Sequence, residues 1–272
     1  MTTRIEQTFT ALKANHKKAL IPYIMAGDPN PSVTVDLLHQ LVAHGADVIE
    51  VGLPFSDPMA DGQTISLAGE RALANGTSTR EAIAMVKEFR KTNQTTPVLV
   101  MGYLNPMEIT GYDAFVALCA DAGIDGILLV DLPPHETDAK FSQSLSEHAI
   151  NQIFLLAPTT QSERRAKVLE RGSGFIYYVS VKGVTGSAQL NTQDVGAQVQ
   201  AIKADTELPV CVGFGIRDGA SAQAVAKFAD GVIVGSELVK NFADVGTDKV
   251  KIDSAISQIL AKMDELRTAI DS

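Results

Sequence analysis

The chain reads as an α/β protein in which eight strand-and-helix units close into a parallel barrel, and three observations lead there. Short apolar, β-branched runs recur eight times, at 20–25, 48–53, 98–103, 126–132, 152–158, 175–181, 210–215 and 231–235. Amphipathic stretches with Ala, Leu, Val and Ile at helical spacing alternate with them, at 33–44, 79–92, 112–122, 136–147, 162–170 and 220–228. Strands joined through helices pair in parallel, because the crossover returns the chain to the same edge direction. No linker rich in Pro, Gly or Ser divides the 272 residues, so 1–272 is expected to be a single (β/α)₈ TIM barrel domain. An open doubly wound sheet fits less well, since it carries fewer strands and an early Gly-rich dinucleotide turn.

Taken in order, residues 4–15 are polar and periodic and predict an extra N-terminal helix, with no apolar segment of the kind that starts a secretory signal. The helix at 33–44 ends at His44-Gly45-Ala46-Asp47, and related steps recur at Asp121-Ala122-Gly123-Ile124-Asp125 and Phe228-Ala229-Asp230-Gly231. These read as helix C-terminal caps leading directly into the next strand. The connection 53–79 after the second run is conspicuously long, and so is 182–193 after the sixth. Long loops at the C-terminal face of a barrel are lids or binding segments. A last helix is expected at 250–270.

Composition narrows the function classes. With 45% hydrophobic and 20% charged residues, the chain has ample core and is not disordered. Its formal net charge of -9 argues against nucleic-acid binding, while leaving room for a local site for a small anion. Cys119 and Cys211 lie in apolar surroundings without metal-like spacing, which predicts core thiols and neither a disulfide nor a zinc site. His16, His39, His44, His135 and His148 fall on predicted helices or exposed connections, so no metal centre and no catalytic histidine is expected. No apolar run approaches membrane-spanning length, and a cytoplasmic protein is expected.

The chemistry concentrates in Ile49-Glu50-Val51-Gly52-Leu53-Pro54-Phe55-Ser56-Asp57-Pro58-Met59-Ala60-Asp61-Gly62. Glu50 is an ionisable group inside an apolar strand buried on both faces, where desolvation favours its protonated form. Asp61 lies on the loop beyond. A buried, protonated carboxyl and a wetter, ionised one can act as a push-pull pair. Alternative readings are a buried Glu neutralised by a partner and an Asp-Gly turn. A second constellation is glycine-rich: Gly183-Val184-Thr185-Gly186-Ser187, Gly213-Phe214-Gly215-Ile216 and Gly235-Ser236 close three successive runs. Backbone N–H groups at those strand ends can hold a phosphate ester without Lys or Arg. Tyr23, Tyr103, Tyr177 and Phe214 fall in or at the ends of strands, either as core or as the lining for a planar apolar ligand. Asn105-Pro106, Asp131-Leu132-Pro133-Pro134 and Ser56-Asp57-Pro58 place rigid prolines at the mouth, as stiff turns or as a docking rim.

With these residues in view, the chain resembles the tryptophan synthase alpha chain family. The resemblance is carried by Pro22-Tyr23-Ile24-Met25-Ala26-Gly27-Asp28-Pro29, by the whole Glu50 to Gly62 segment, by 180–186 with its Gly-Val-Thr-Gly core, and by Gly213-Phe214-Gly215, in family order over almost the whole length. It implies aldol-type cleavage of indole-3-glycerol phosphate to indole and glyceraldehyde 3-phosphate, with no cofactor on this chain. It implies a partner, the tryptophan synthase beta chain, which carries pyridoxal phosphate and takes up the indole, in an αββα heterotetramer. By resemblance Glu50, Asp61 and Tyr177 are catalytic. Gly186, Gly215, Gly235 and Ser236 hold the phosphate, with Thr185 on the loop that helps position Asp61. Tyr23, Tyr103, Leu128 and Phe214 enclose the indole, and Asp57, Pro58, Asn105, Asp131 and Pro133 face the beta chain. Two rival readings stand beside this one. Another phosphate-binding barrel enzyme is the first, although the absence of Lys inside the predicted strands, Lys182 at an edge apart, disfavours a Schiff-base aldolase. The second is a catalytically weak module that activates the beta chain.

Overall fold

The computed structural model describes residues 2–180, 192–213 and 215–272. Strands β1 (Ala19–Met25), β2 (Ile49–Gly52), β3 (Val98–Gly102), β4 (Gly126–Leu129), β5 (Asn151–Leu156), β6 (Ile176–Val179), β7 (Val210–Gly213) and β8 (Gly231–Val234) pair in parallel in chain order, and β8 returns to β1 to close the barrel. They are apolar because both faces are covered. One face meets the surrounding helices in a shell that includes Leu20, Ile49, Val100 and Ile127. The other fills the barrel with Ile21, Leu99, Leu128, Ile153, Tyr177, Cys211 and Ile233. Strands β2 to β8 stop short of the apolar runs, because residues such as Leu53 and Tyr103 stay buried after leaving the ladder for the mouth.

The helices are α1 (Arg4–Ala14), α2 (Pro31–Ala43), α3 (Gln63–Ala74), α4 (Thr79–Arg90), α5 (Leu104–Thr110), α6 (Tyr112–Asp121), α7 (Ala139–Glu147), α8 (Ser162–Arg171), α9 (Thr192–Lys203), α10 (Gly219–Ala226), α11 (Ser236–Val239) and α12 (Lys249–Asp271). Helix starts follow their chemistry: Thr3 and Glu6 form a capping box on α1, and Asn30 with Pro31 opens α2. Gly45 and Gly123 end helices in the left-handed region, at φ 91° and 70°, as the Gly-Ala-Asp steps predict. The third step departs from this, since Gly231 is already the first residue of β8.

Four helices go beyond the sequence reading, namely α3, α5, α9 and α11. The long connection 53–79 contains α3 over 63–74, whose buried face of Ile65, Ala68, Gly69 and Ala72 is too small-featured to stand out as an apolar stripe. Asn105 and Pro106 lie in the first turn of α5, where a proline lacks only an N–H that has no intrahelical partner anyway.

At the floor of the barrel Ile5 and Phe9 of α1 insert among the interior residues, and Phe9 meets Phe175 with ring centroids 5.7 Å apart. Asp125 fastens this end. Its buried carboxylate accepts from Arg4 Nη1 at 2.7 Å, Arg90 Nη2 at 2.6 Å and the Val98 N–H at 2.8 Å.

Candidate active site

Strand alternation decides which side chains enter the barrel. Tyr23 of β1 is in register with Glu50 of β2, and Glu50 with Leu99 of β3. Tyr177 of β6 is in register with Leu155 and Cys211. Above this level, at the C-terminal ends of the strands, a cavity of ≈ 340 Å³ is lined by Tyr23, Glu50, Asp61, Thr64, Ile65, Met101, Tyr177 and Ile233, and by Gly215, Ile216, Arg217, Gly235, Ser236, Glu237 and Lys240 from the β7 and β8 ends.

Glu50 sits on the wall of this cavity, 1% exposed, and neither carboxyl oxygen has a hydrogen-bond partner among the described residues. Burial, then the negative charge of Asp61, pushes its pKa up to about 8, so that it carries its proton at neutral pH. Asp61 lies at the end of the loop after β2, one residue before Gly62, which caps α3. Burial raises it to about 6, against the lowering effect of a hydrogen bond with the Tyr103 hydroxyl. At pH 7 the two carboxyls are therefore one neutral and one ionised, in the same cavity.

Aromatic residues fix this geometry. The Tyr103 hydroxyl also accepts from the Ala60 N–H at 3.0 Å, and its ring meets Phe55 at 5.3 Å between centroids. Tyr103 thus holds two consecutive residues of the Asp61 loop and lies behind the loop. Leu128 lies deeper, in the barrel interior. Tyr23 and Tyr177 are buried, and burial raises both phenols well above their ordinary values, so they remain protonated. Their rings pass over glycines: a Cβ at Gly52 would lie 2.1 Å from the Tyr23 hydroxyl oxygen, and one at Gly213 would lie 2.5 Å from that of Tyr177.

Of the glycine constellation, Gly215 (φ 79°), Gly235 and Ser236 meet at the cavity. Thr185, Gly186 and Phe214 lie outside the described residues, as does most of the second long connection. Sequence reading missed Thr64, Ile65, Arg217, Glu237 and Lys240. The first two belong to the unforeseen α3, and the others follow strand ends where no periodicity marks them. Lys240 is paired with Glu237. Among the described residues no group of three or more His, Cys, Asp or Glu side chains is placed to hold a metal.

The expected rim residues follow the ends of three neighbouring strands, β2, β3 and β4. Asp57, Asn105 and Asp131 are exposed, Pro58 and Pro133 half-buried, and Asp131 accepts from the Leu104 N–H at 2.8 Å at the start of α5. The same connections carry two large apolar side chains turned to solvent, Met59 at 82% and Ile109 at 81% exposure.

Known proteins place the chain in a family. The sequence model described as tryptophan synthase alpha chain matches residues 9–270. A tryptophan synthase alpha chain of Psychrobacter cryohalolentis is 67% identical over 271 residues, covering 99% of both chains. One of Acinetobacter baumannii is 54% identical over 269 residues, covering 99% of this chain and 98% of that protein. Among solved structures, tryptophan synthase subunit alpha of Legionella pneumophila superposes with a TM-score of 0.89 at 43% identity, covering 100% of this chain and 99% of that one. A chain of Mycobacterium tuberculosis tryptophan synthase gives 0.88 at 36% identity, covering 99% of each. The chain belongs to the tryptophan synthase alpha chain family, carbon–carbon lyases that cleave indole-3-glycerol phosphate.

Proposed function

We propose that Glu50, Asp61 and Tyr177 carry the lyase reaction of this chain, within one barrel domain spanning residues 1–272. The observation that supports this most is the pair of carboxyls in one cavity with proton affinities set apart, about 8 for Glu50 and about 6 for Asp61. Breaking the bond between indole C3 and the glycerol chain needs a proton on C3, a counter-charge for the positive ring nitrogen, and removal of the proton from the adjacent hydroxyl. Protonated Glu50 gives its proton to C3. Ionised Asp61 faces the ring N–H and stabilises the cation. As the carbon–carbon bond breaks, the hydroxyl becomes the aldehyde and its proton returns to the Glu50 carboxylate, so the enzyme regains its starting state. The products are indole and glyceraldehyde 3-phosphate.

Tyr177 and Tyr23 line the pocket beside the indole, with Tyr103 and Leu128 supporting it from behind and below, and Phe214 completing the enclosure. The phosphate sits against the backbone of Gly215, Gly235 and Gly186 and the Ser236 hydroxyl, with Thr185 helping to position Asp61. The reaction needs no cofactor on this chain. Its partner is the tryptophan synthase beta chain, whose pyridoxal phosphate serves the following step, in an αββα heterotetramer. The rim of Asp57, Pro58, Asn105, Asp131 and Pro133 is the docking surface, and exposed Met59 and Ile109 give it apolar anchors. Among the described residues no helix is long and apolar enough to cross a membrane, which agrees with a cytoplasmic site.

Glu50→Gln tests the reading. The variant should release no indole from indole-3-glycerol phosphate, with or without beta chain, yet bind glycerol 3-phosphate as the parent does. Near-normal turnover would remove Glu50 from the mechanism.

A further inference from the structure

The loop that carries Asp61 leads straight into α3, and that helix is fastened at its far end. Its first turn supplies Thr64 and Ile65 to the cavity. Its buried face, Ile65, Ala68 and Ala72, packs with Tyr23 and Met25 of β1 and Val239 of α11. This contact is small and smooth: a Cβ added at Gly69 would come no closer than 3.6 Å to Met25. Such a face gives little resistance to rotation or sliding.

Directional contacts come two turns later. Arg71 donates from Nε to Asp28 Oδ1 at 2.7 Å and from Nη2 to Oδ2 at 2.9 Å. The Asp28 side chain is 1% exposed and sits just beyond β1, and Asn75 Nδ2 donates to the neighbouring Pro29 carbonyl at 2.6 Å. One turn of α3 thus grips the segment leaving β1. A planar guanidinium meeting a carboxylate with two parallel bonds fixes orientation as well as distance. A buried ion pair adds little net stability over an apolar pair of the same shape, so the distinctive effect of this one is geometric.

We propose that the Arg71–Asp28 clamp is a positioning device for catalysis, setting the rotation and axial position of α3 and thereby the place of Asp61 opposite Glu50. The proposal rests on the catalytic reading of those two carboxyls. It has a consequence that plain stabilisation lacks. Glu50 faces Asp61, Tyr23, Tyr177 and Cys211, and Asp61 faces Glu50, Tyr23 and Tyr103. If Asp61 withdraws, Glu50 loses its one ionised neighbour and gives up its proton at lower pH.

The test uses Arg71→Lys, which keeps the charge and loses the fork, and Arg71→Met, which keeps the stem. Steady-state cleavage of indole-3-glycerol phosphate is followed across pH, alongside thermal unfolding and inhibition by glycerol 3-phosphate. Both variants should lose about tenfold in kcat, a modest displacement of a reacting group being enough for that. Inhibition by glycerol 3-phosphate should stay within about twofold, because the β7 and β8 ends are untouched. The alkaline limb of the kcat profile should move to lower pH. Should Arg71→Met fail to fold, Asp28→Asn takes its place beside Arg71→Lys. Folded variants with kcat within about twofold of the parent, or with reduced kcat and an unmoved alkaline limb, overturn the clamp. If Glu50→Gln and Asp61→Asn instead keep their turnover, the catalytic reading itself falls, whatever Arg71 does.

Discussion

Replacing Glu50 with Gln should stabilise the protein at alkaline pH while abolishing its activity. In the unfolded chain Glu50 titrates near the ordinary glutamate value of 4.5, whereas in the folded barrel it holds its proton to about 8. The folded state binds the proton more tightly, so stability is fully present below 4.5 and falls as pH rises, until the folded-state group has ionised near 8. At about 1.4 kcal/mol per pH unit over that interval, the cost of carrying an ionised Glu50 reaches about 5 kcal/mol. Gln keeps the size and polarity of the protonated acid and cannot ionise. Urea unfolding of parent and variant at pH 5 and pH 9 measures the difference. The two proteins should agree within about 1 kcal/mol at pH 5, and the variant should be more stable by about 3–5 kcal/mol at pH 9. Asp61, raised to about 6, makes both proteins less stable toward alkali and leaves the sign of the comparison unchanged. An offset equal at the two pH values, or a parent that is the more stable at pH 9, would refute the claim that Glu50 is folded as its neutral acid.

Asp61→Asn should lower kcat by about 10²–10³, corresponding to about 2.7–4 kcal/mol of lost charge stabilisation; a fall below about tenfold would make Asp61 a turn residue only. Gly213→Ala puts a methyl group 2.5 Å from the Tyr177 hydroxyl oxygen and must displace the ring. It should cost about 1–3 kcal/mol in thermal or urea unfolding and reduce turnover, and an unchanged variant would show that the phenol has room to move. Asp125→Ala leaves the buried Arg90 guanidinium without its carboxylate, far from the mouth. It should lose about 3–5 kcal/mol in urea unfolding while kcat at 25 °C stays near the parent value; a loss below about 1 kcal/mol would show that the floor is not held by this pair.

The barrel was legible because its strands are buried on both faces and so stand out as unbroken apolar runs. The same property blurred their ends, since Leu53 and Tyr103 remain buried after the ladder has finished. Helix α3 leaves little trace in the sequence because Ile65, Ala68, Gly69 and Ala72 make a face of mostly small residues. In α9 the spacing of Val195, Val199 and Ile202 is helical, but only these three large apolar residues carry it, directly after a glycine-rich segment of the sequence. Glu50 could be singled out because a carboxylate inside a β-branched run contradicts its surroundings. Arg71 could not, because its meaning comes from Asp28, 43 residues away, and nothing local marks either as a partner. The loop-holding bonds of Tyr103 are hidden in the same way, since they join the residue after β3 to a loop residue 43 positions away, which only the pairing of β2 with β3 brings near.

The stopper that α1 forms at the floor governs molecular traffic. Ile5 and Phe9 fill the lower aperture and Arg4 is tied to Asp125, so among the described residues a small molecule released beside Glu50 finds its exit at the upper end. Arrival and departure share one doorway. On the catalytic reading of Glu50 and Asp61, neutral indole and the charged sugar phosphate both leave by that upper end, and whichever lingers delays the next arrival. A protein seated on Met59 and Ile109 would stand at that doorway, where it meets the apolar product before bulk water does.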